Sequence, residues 1–499
     1  MSNKGFFTDN GDSDLMKRIL KIYPLVCLIT GLLIIAAGIY ALSAGELILQ
    51  VASIVGGAVV TVQGLGLVLS AVLKRKIISK EAAGNIFFSG LFNILVGAFI
   101  LFLPVIGFAP IYIVFTAYIF VNALIKIVDY QIDRRDNVPG RVKQLILFLF
   151  FIVFGILMVF VPGMGKRGFL VVAGVYCIIY GGFQLSEFVF QCLPEKIRCK
   201  INNKITLPMP VLLSTLMPFM KMKTRHRKHI LNPEKAAQEL KTFYPAGKET
   251  DAAPDMEVMI HVGEKGLGTF GHCDLCFEDE VISYGSYDLD TVSLFGGVGD
   301  GILVVGKRES YIRFYVTATP REIYSYGFRL TEEQKRAVRK EIADIKETVY
   351  PWDPPLSAVI KETPGAKGES VYDWGSKMWN CTGSDFYKFK SGKMKTYFAV
   401  TSNCVMMVDG IVRKACSDTT AHRTVLTPGG YYDYLEHLLA KAESPVFCRK
   451  IYNAETTEGW QYKPRVPYSS PELEKITETE ANHRAKKEKQ DKIQGAKKK

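Results

Sequence analysis

The first 190 residues alternate long apolar runs with short polar segments. Six runs are close to the ~20 residues that a helix needs to cross a bilayer core. They lie at residues 22–43, 47–73, 86–106, 108–128, 143–162 and 168–190. Because short turns join them in pairs, residues 1–190 are predicted to form a six-helix transmembrane domain of three hairpins.

The three hairpins carry small or polar residues at corresponding positions. These are Gly38, Gly97 and Gly155 in the first helices, and Gly64, Asn122 and Gly181 in the second. Successive positions are 58 or 59 residues apart, which indicates a triplicated two-helix unit. Small residues let helix backbones approach closely, and oligomers could also form through such helices. Neutral polar residues such as Asn122 are interpreted as interhelical hydrogen-bonding groups, not as the lining of a channel or transporter path.

Lys and Arg cluster on one side of the predicted hairpins, for example at Lys74–Lys76 and at Arg134 and Arg135. Because cytoplasmic loops carry an excess of basic residues, we expect an integral protein of the cell membrane with both termini and the soluble part in the cytoplasm. The formal net charge of +13 is concentrated beside the apolar runs and at the C-terminus. This placement favours anionic membrane lipid as a partner and argues against nucleic acid.

After residue 190 the pattern changes twice. Residues 191–250 form a basic, partly amphipathic connector, whose proline-interrupted apolar stretch 207–223 either lies in the headgroup layer or packs on the soluble domain. From residue 251 to 465, short β-rich runs and a few helices predict an α+β domain. Residues 466–499 are charged and are expected to be disordered.

The ten cysteines show no framework spacing, which indicates reduced thiols and not a disulfide scaffold.

Two segments of the α+β region have the residues for nucleophilic catalysis. In "TSNCVMMVDGIV" Cys404 begins a predicted helix, where the helix dipole and free backbone N–H groups favour a thiolate and a developing oxyanion. In "FGHCDLCF" His272 lies on a predicted strand and is the candidate base. Alternation along that strand places Asp274 on the same face as His272.

These two halves each resemble a known family. The glycine-rich hairpins, with Pro104 and Pro162, resemble the HdeD-like acid-resistance membrane proteins, which implies a six-helix membrane protein linked to acid stress. A Gly-His strand followed later by an Asn-Cys helix resembles the circularly permuted papain-like superfamily. That superfamily includes lecithin retinol acyltransferase-like enzymes, cell-wall peptidases and Lnb-type lipoprotein acyltransferases, and the resemblance implies Cys404 as nucleophile and His272 as base.

The same resemblance implies a third residue that orients the base. In the superfamily this polar residue commonly lies on the next strand, and counting across the turn reaches Tyr284. Asp274 and Asp288 are alternatives. We therefore predict Cys404, His272 and Tyr284 as catalytic residues, with the identity of the third left open.

Other candidate chemistry is weaker. The C-x2-C spacing of Cys273 and Cys276 beside His272 is reminiscent of zinc sites, but a strand sends the two thiols to opposite faces and no second pair follows. His261 and His422 are interpreted as structural. No metal and no cofactor are expected.

The sequence thus predicts a membrane-tethered cysteine hydrolase or acyltransferase that acts on a lipid- or peptide-linked acyl group. The alternative is a non-enzymatic membrane stress-response protein with a cytosolic interaction module.

Overall fold

The computed structural model describes part of the 499-residue chain. The described residues are 10–43, 46–73, 80–106, 109–161, 164–192, 242–244, 252–263, 271–318, 321–362, 373–415, 427–440, 444–453, 457 and 459–467. They fall into two compact units, one made from the N-terminal helices and one from the α/β region. Nearly all of the predicted connector and of the predicted tail lies outside the described residues.

Six of the described helices belong to the first unit. They are α1 (Asn10–Ser43), α2 (Glu46–Leu73), α3 (Lys80–Ile106), α4 (Ala109–Arg135), α5 (Val142–Phe160) and α6 (Met164–Cys192). Four described stretches are long and apolar enough to cross a membrane, at Ser53–Leu73, Phe87–Val105, Ala109–Arg135 and Val142–Phe160. The apolar stretches of α1 and α6, Leu28–Ser43 and Arg167–Gly182, are shorter. Among the described residues, four helices are thus long and apolar enough to span a membrane, and the crossing by α1 and α6 stays a prediction.

Glycines bring helix backbones together at two seams. Between α2 and α3, a Cβ atom added at Gly64 would lie 2.7 Å from the carbonyl oxygen of Gly90. Between α1 and α6, a Cβ atom added at Gly181 would lie 2.7 Å from the carbonyl oxygen of Gly31. Lipid supplies no hydrophobic drive for helices to associate, so this close backbone contact is what stabilises each pair.

The contact between α4 and α5, which belong to neighbouring predicted hairpins, is packed differently from these two seams. A Cβ atom added at Gly155 would meet the ring of Phe120 at 3.0 Å, so an aromatic ring fills the space that backbone fills at the other seams. Asn122, the polar member of the repeat, donates its side-chain amide to Tyr118 O of its own helix at 2.7 Å. The bond that the structure shows for Asn122 is therefore intrahelical, whereas an interhelical one was expected.

The second unit is built on an eight-stranded antiparallel sheet in the order β10-β6-β1-β2-β3-β5-β8-β7, and β4 and β9 form a separate pair. The strands are β1 (Met256–Gly263), β2 (His272–Phe277), β3 (Glu280–Gly285), β4 (Val298–Asp300), β5 (Ile302–Lys307), β6 (Arg321–Phe328), β7 (Val349–Pro351), β8 (Asp385–Phe389), β9 (Thr396–Phe398) and β10 (Val446–Tyr452). The described helices are α7 (Arg308–Ala318), α8 (Glu332–Glu347), α9 (Pro355–Glu362), α10 (Trp374–Thr382), α11 (Cys404–Ala415) and α12 (Pro428–Ala440). The predicted mixture of helices and strands is confirmed, whereas the permuted papain-like fold stays a prediction.

Both faces of the sheet are covered. One face packs against α8, α11 and α12, and Cys273 and Leu275 of β2 belong to that core. The other face packs against α7 and α10, and Cys276 belongs to that core. The two thiols of the C-x2-C motif therefore lie on opposite faces. Helix α8 begins with a capping box, in which Thr331 and Gln334 satisfy each other's backbone N–H groups.

Candidate active site

Cys404 is the first residue of α11, as the sequence predicts. Asn403 fixes this helix start, because its Oδ1 accepts from Met406 N at 3.2 Å and its Nδ2 donates to Ala399 O at 2.9 Å. A tight turn precedes it, closed by Ser402 N donating to Phe398 O at 2.8 Å. The thiol is held in the first helical turn, where unpaired N–H groups carry partial positive charge. Only 2% of Cys404 is exposed.

His272 is the first residue of β2 and reaches Cys404. The Cys404 side chain lies close enough to this imidazole for its charge to raise the pKa of His272. Its Nε2 atom lies 2.9 Å from Asp274 Oδ1 and 3.0 Å from Ser283 Oγ. The structure therefore brings together two residues that are 132 positions apart in the sequence.

Asp274 is the charged centre of the site. It is fully buried on β2. Its Oδ2 accepts the hydroxyl hydrogen of Tyr311 at 2.8 Å and lies 2.8 Å from His261 Nε2. Burial alone would raise the pKa of Asp274, but the charges of His272 and His261 and their hydrogen bonds outweigh it and hold the pKa well below its usual range.

The pKa of the His272 imidazole is shifted in the complementary direction. Burial opposes its protonation, yet the negative charges of Asp274 and Cys404 and the hydrogen bonds to both raise the pKa well above its usual value. The site thus favours an imidazolium between two acidic groups.

Tyr284 does not take the position expected of it. It lies on β3 with Ile282 in the core of the α11 face, and its hydroxyl donates to Met394 O at 2.8 Å. The structure brings Ser283, one residue earlier, to His272 instead. The alternative Asp288 is engaged by Lys388 Nζ at 2.7 Å. Of the three candidates, only Asp274 touches the imidazole.

The register of β2 and β3 explains the difference of one residue. Phe277 pairs with Glu280 and Leu275 pairs with Ile282. Because side chains alternate between faces, Asp274 shares a face with Ser283 and not with Tyr284. A two-residue turn sets this register, since Glu278 and Asp279 both have positive φ, at 51° and 65°. Reading "ED" as a two-residue hairpin turn would have found Ser283, but Glu and Asp are unusual in such turns.

His261 is the residue that the sequence interpretation missed. It lies on β1, directly opposite His272 in the ladder, and is fully buried. The signal was weak, because nothing in the sequence says that β1 and β2 are neighbours in this register. Among the described residues, no group of three or more His, Cys, Asp or Glu is arranged to hold a metal ion.

Comparison with known proteins bears on the first unit. A family model described as "short repeat of unknown function (DUF308)" matches residues 88–160 and 149–193, and this family includes the HdeD-like membrane proteins. The matches cover α3 to α6. No curated protein and no solved structure matches the chain. The chain is therefore a membrane protein whose residues 88–193 are similar to DUF308 repeats and whose second unit is a mixed α/β domain.

Proposed function

We propose that this protein is a membrane-tethered cysteine hydrolase or acyltransferase, with Cys404 as the nucleophile and His272 as the base. The observation that carries the proposal is the proximity of these two side chains at the start of α11, where the charge of Cys404 raises the pKa of His272. A thiol, a base beside it and a helix N-terminus together supply the nucleophile, the proton acceptor and the oxyanion donor of acyl transfer.

The reaction follows from these contacts. His272 takes the thiol proton, and the sulfur of Cys404 attacks the carbonyl carbon of an amide, ester or thioester. The backbone N–H of Cys404 donates to the oxyanion, and the imidazolium returns the proton to the leaving amine, alcohol or thiol. Water or another acceptor, deprotonated by His272, then attacks the resulting thioester and releases the thiol.

Asp274 is proposed as the orienting residue in place of Tyr284. It lies at hydrogen-bonding distance from Nε2 of His272. A carboxylate there keeps the proton on Nε2, which leaves the other ring nitrogen to accept the proton of the thiol. A carboxylate also stabilises the imidazolium better than a phenol does.

The proposal also covers the topology and the oligomeric state of the first unit. We infer that α1 and α6 also cross the bilayer, that both termini and the second unit are cytoplasmic, and that the chain can form oligomers through its helices. The repeated hairpins and the one-sided basic residues support this topology. Tethering near lipid favours lipid- or lipoprotein-linked acyl groups, with peptides as the other class of substrate.

Selective alkylation tests the proposal. Full-length protein in lipid nanodiscs is treated briefly with iodoacetamide near neutral pH, and labelled peptides are quantified by mass spectrometry. We expect Cys404 to react at least roughly tenfold faster than the other cysteines, and His272→Ala to remove most of this advantage, because general base catalysis is typically worth ~10²-fold or more. Cys448→Ser is the matched control, since Cys448 is buried on β10 and has no part in the site.

Two results would contradict the enzyme. Uniform slow labelling of several thiols would show that Cys404 is an ordinary buried cysteine. If His272→Ala left the alkylation of Cys404 unchanged, His272 would not be the base. Either result favours the second candidate, a membrane stress-response protein with an interaction module, which the DUF308 match supports.

A further inference from the structure

His261 extends the proposed site by one residue. Its ring and that of His272 lie edge to face with centroids 5.7 Å apart. The two imidazoles approach opposite oxygens of one carboxylate, with His272 Nε2 2.9 Å from Asp274 Oδ1 and His261 Nε2 2.8 Å from Asp274 Oδ2. Cys404, His272, Asp274 and His261 thus form one continuous chain of contacts.

The groups that face His261 are aromatic or part of this chain. From β2 these are His272 and Asp274. From α7 they are Tyr311, with its ring centroid at 6.2 Å, and Tyr315 at 4.7 Å. From β6 the paired residue is Ile323. Tyr287, which follows β3, belongs to the same cluster, because its hydroxyl oxygen lies 3.4 Å from Ser283 Oγ. Asp274 is therefore the one carboxylate of this set.

Charge balance gives His261 a role. When Cys404 loses its proton to His272, the buried site holds a thiolate, a carboxylate and one imidazolium, which leaves one uncompensated negative charge. A buried excess charge is costly unless a partner neutralises it. The imidazole of His261, against the far oxygen of Asp274, is placed to supply that positive charge.

We propose, on the basis of the proposed function, that His261 is a positioning residue of the site. It holds Asp274 by its second oxygen and, when protonated, balances the carboxylate so that the charge of the His272 imidazolium remains available to the Cys404 thiolate. Tyr311 donates to the same oxygen but contributes orientation without charge.

The test is the pH profile of Cys404 alkylation by iodoacetamide in the full-length protein. His261→Gln keeps a hydrogen-bond donor and removes the charge. We expect its profile to move upward by about one pH unit, with labelling near pH 7 about tenfold slower, because a one-unit shift corresponds to a tenfold change in thiolate fraction. Tyr326→Phe is the control, because it removes a buried hydroxyl that donates at 2.6 Å to Glu436 Oε1, outside the site, and its profile is expected to stay where the wild-type profile lies.

The outcomes separate the two proposals. Without selective labelling of Cys404 in the wild-type protein, the proposed function fails. Selective labelling with superimposable profiles for wild type and His261→Gln overturns the role of His261 and leaves the Cys–His pair intact. Equal shifts for His261→Gln and Tyr326→Phe would show that the shift reflects general destabilisation, and would likewise overturn the role of His261.

A measurement on the unmodified protein covers the case in which His261→Gln does not fold. Nitrogen NMR of histidine-labelled protein near pH 8 distinguishes imidazolium rings from neutral ones, and solvent-exposed histidines are neutral there. Two persistent imidazolium rings are expected, from His261 and His272. Fewer than two would overturn the proposal.

Discussion

The two units of this protein achieve close packing by opposite means. At the α1–α6 and α2–α3 seams the first unit brings backbone against backbone, and each contact depends on the absence of a side chain. The second unit fills its core with large aromatic side chains, among them the fully buried Tyr284, Tyr311 and Tyr315. The contrast follows from the solvent, since lipid gives apolar side chains no reason to cluster whereas water does.

This difference in packing determines which unit buries polar side chains. A glycine seam adds no polar side-chain group that would need a partner. A buried tyrosine carries a hydroxyl that must be hydrogen-bonded, and in the second unit Tyr311 meets that need at Asp274. The aromatic core thereby helps to keep a carboxylate buried beside two histidines.

The largest expected effect comes from removing that carboxylate. Asp274→Ala leaves His261, His272 and Tyr311 without their shared acceptor, and breaking a buried ion pair from one side costs about 3–5 kcal/mol. We expect a corresponding fall in the thermal or denaturant stability of the second unit, followed by circular dichroism. Asp344→Ala, which removes an exposed carboxylate paired with Lys340, is the matched control and should have no measurable effect. Similar losses for the two variants would show that the polar cluster does not stabilise the fold.

A smaller effect is expected at a glycine seam. Gly64→Ala forces a methyl group against backbone atoms of α3 at 2.7 Å, and overpacking typically costs about 1–3 kcal/mol. Gly66→Ala is the matched control, because a Cβ atom there meets nothing within 4 Å. The stability of both variants is measured by unfolding them in mixed micelles with increasing concentrations of a denaturing detergent. Equal stability of the two would mean that the seam is loosely packed.

The smallest effect separates stability from chemistry within the second unit. Asn403→Ala and Thr331→Ala each remove a helix N-cap, of α11 and α8 respectively, and each should cost about 1 kcal/mol. Only Asn403→Ala should also slow alkylation of Cys404, since Asn403 fixes the turn that presents the thiol. If both variants slow labelling equally, the effect reflects general destabilisation.

The features that sequence predicted well are local or periodic. The apolar runs mark the helices of the first unit, and the spacing of Gly38, Gly97 and Gly155 marks its repeats. The start of α11 at Cys404 follows from Asn403 as a cap. Each of these depends on interactions within a few residues or on a repeat that the chain displays directly.

The features that sequence did not predict depend on register. Tyr284 and Ser283 are neighbours in the chain, and only the pairing of β2 with β3 decides which of them faces His272. His261 is adjacent to His272 because β1 pairs with β2. A shift of one residue in either ladder would exchange every side chain between the two faces, so no local pattern could settle these positions.

The strand order has a consequence for how long the site survives under stress. β1 and β2, which carry His261, Asp274 and His272, occupy the third and fourth places among eight strands, and central strands exchange their amide hydrogens only on global opening. Fraying from either edge of the sheet therefore leaves these three side chains in place. On heating or acidification, the arrangement of these three side chains should therefore be lost in one cooperative transition and not gradually.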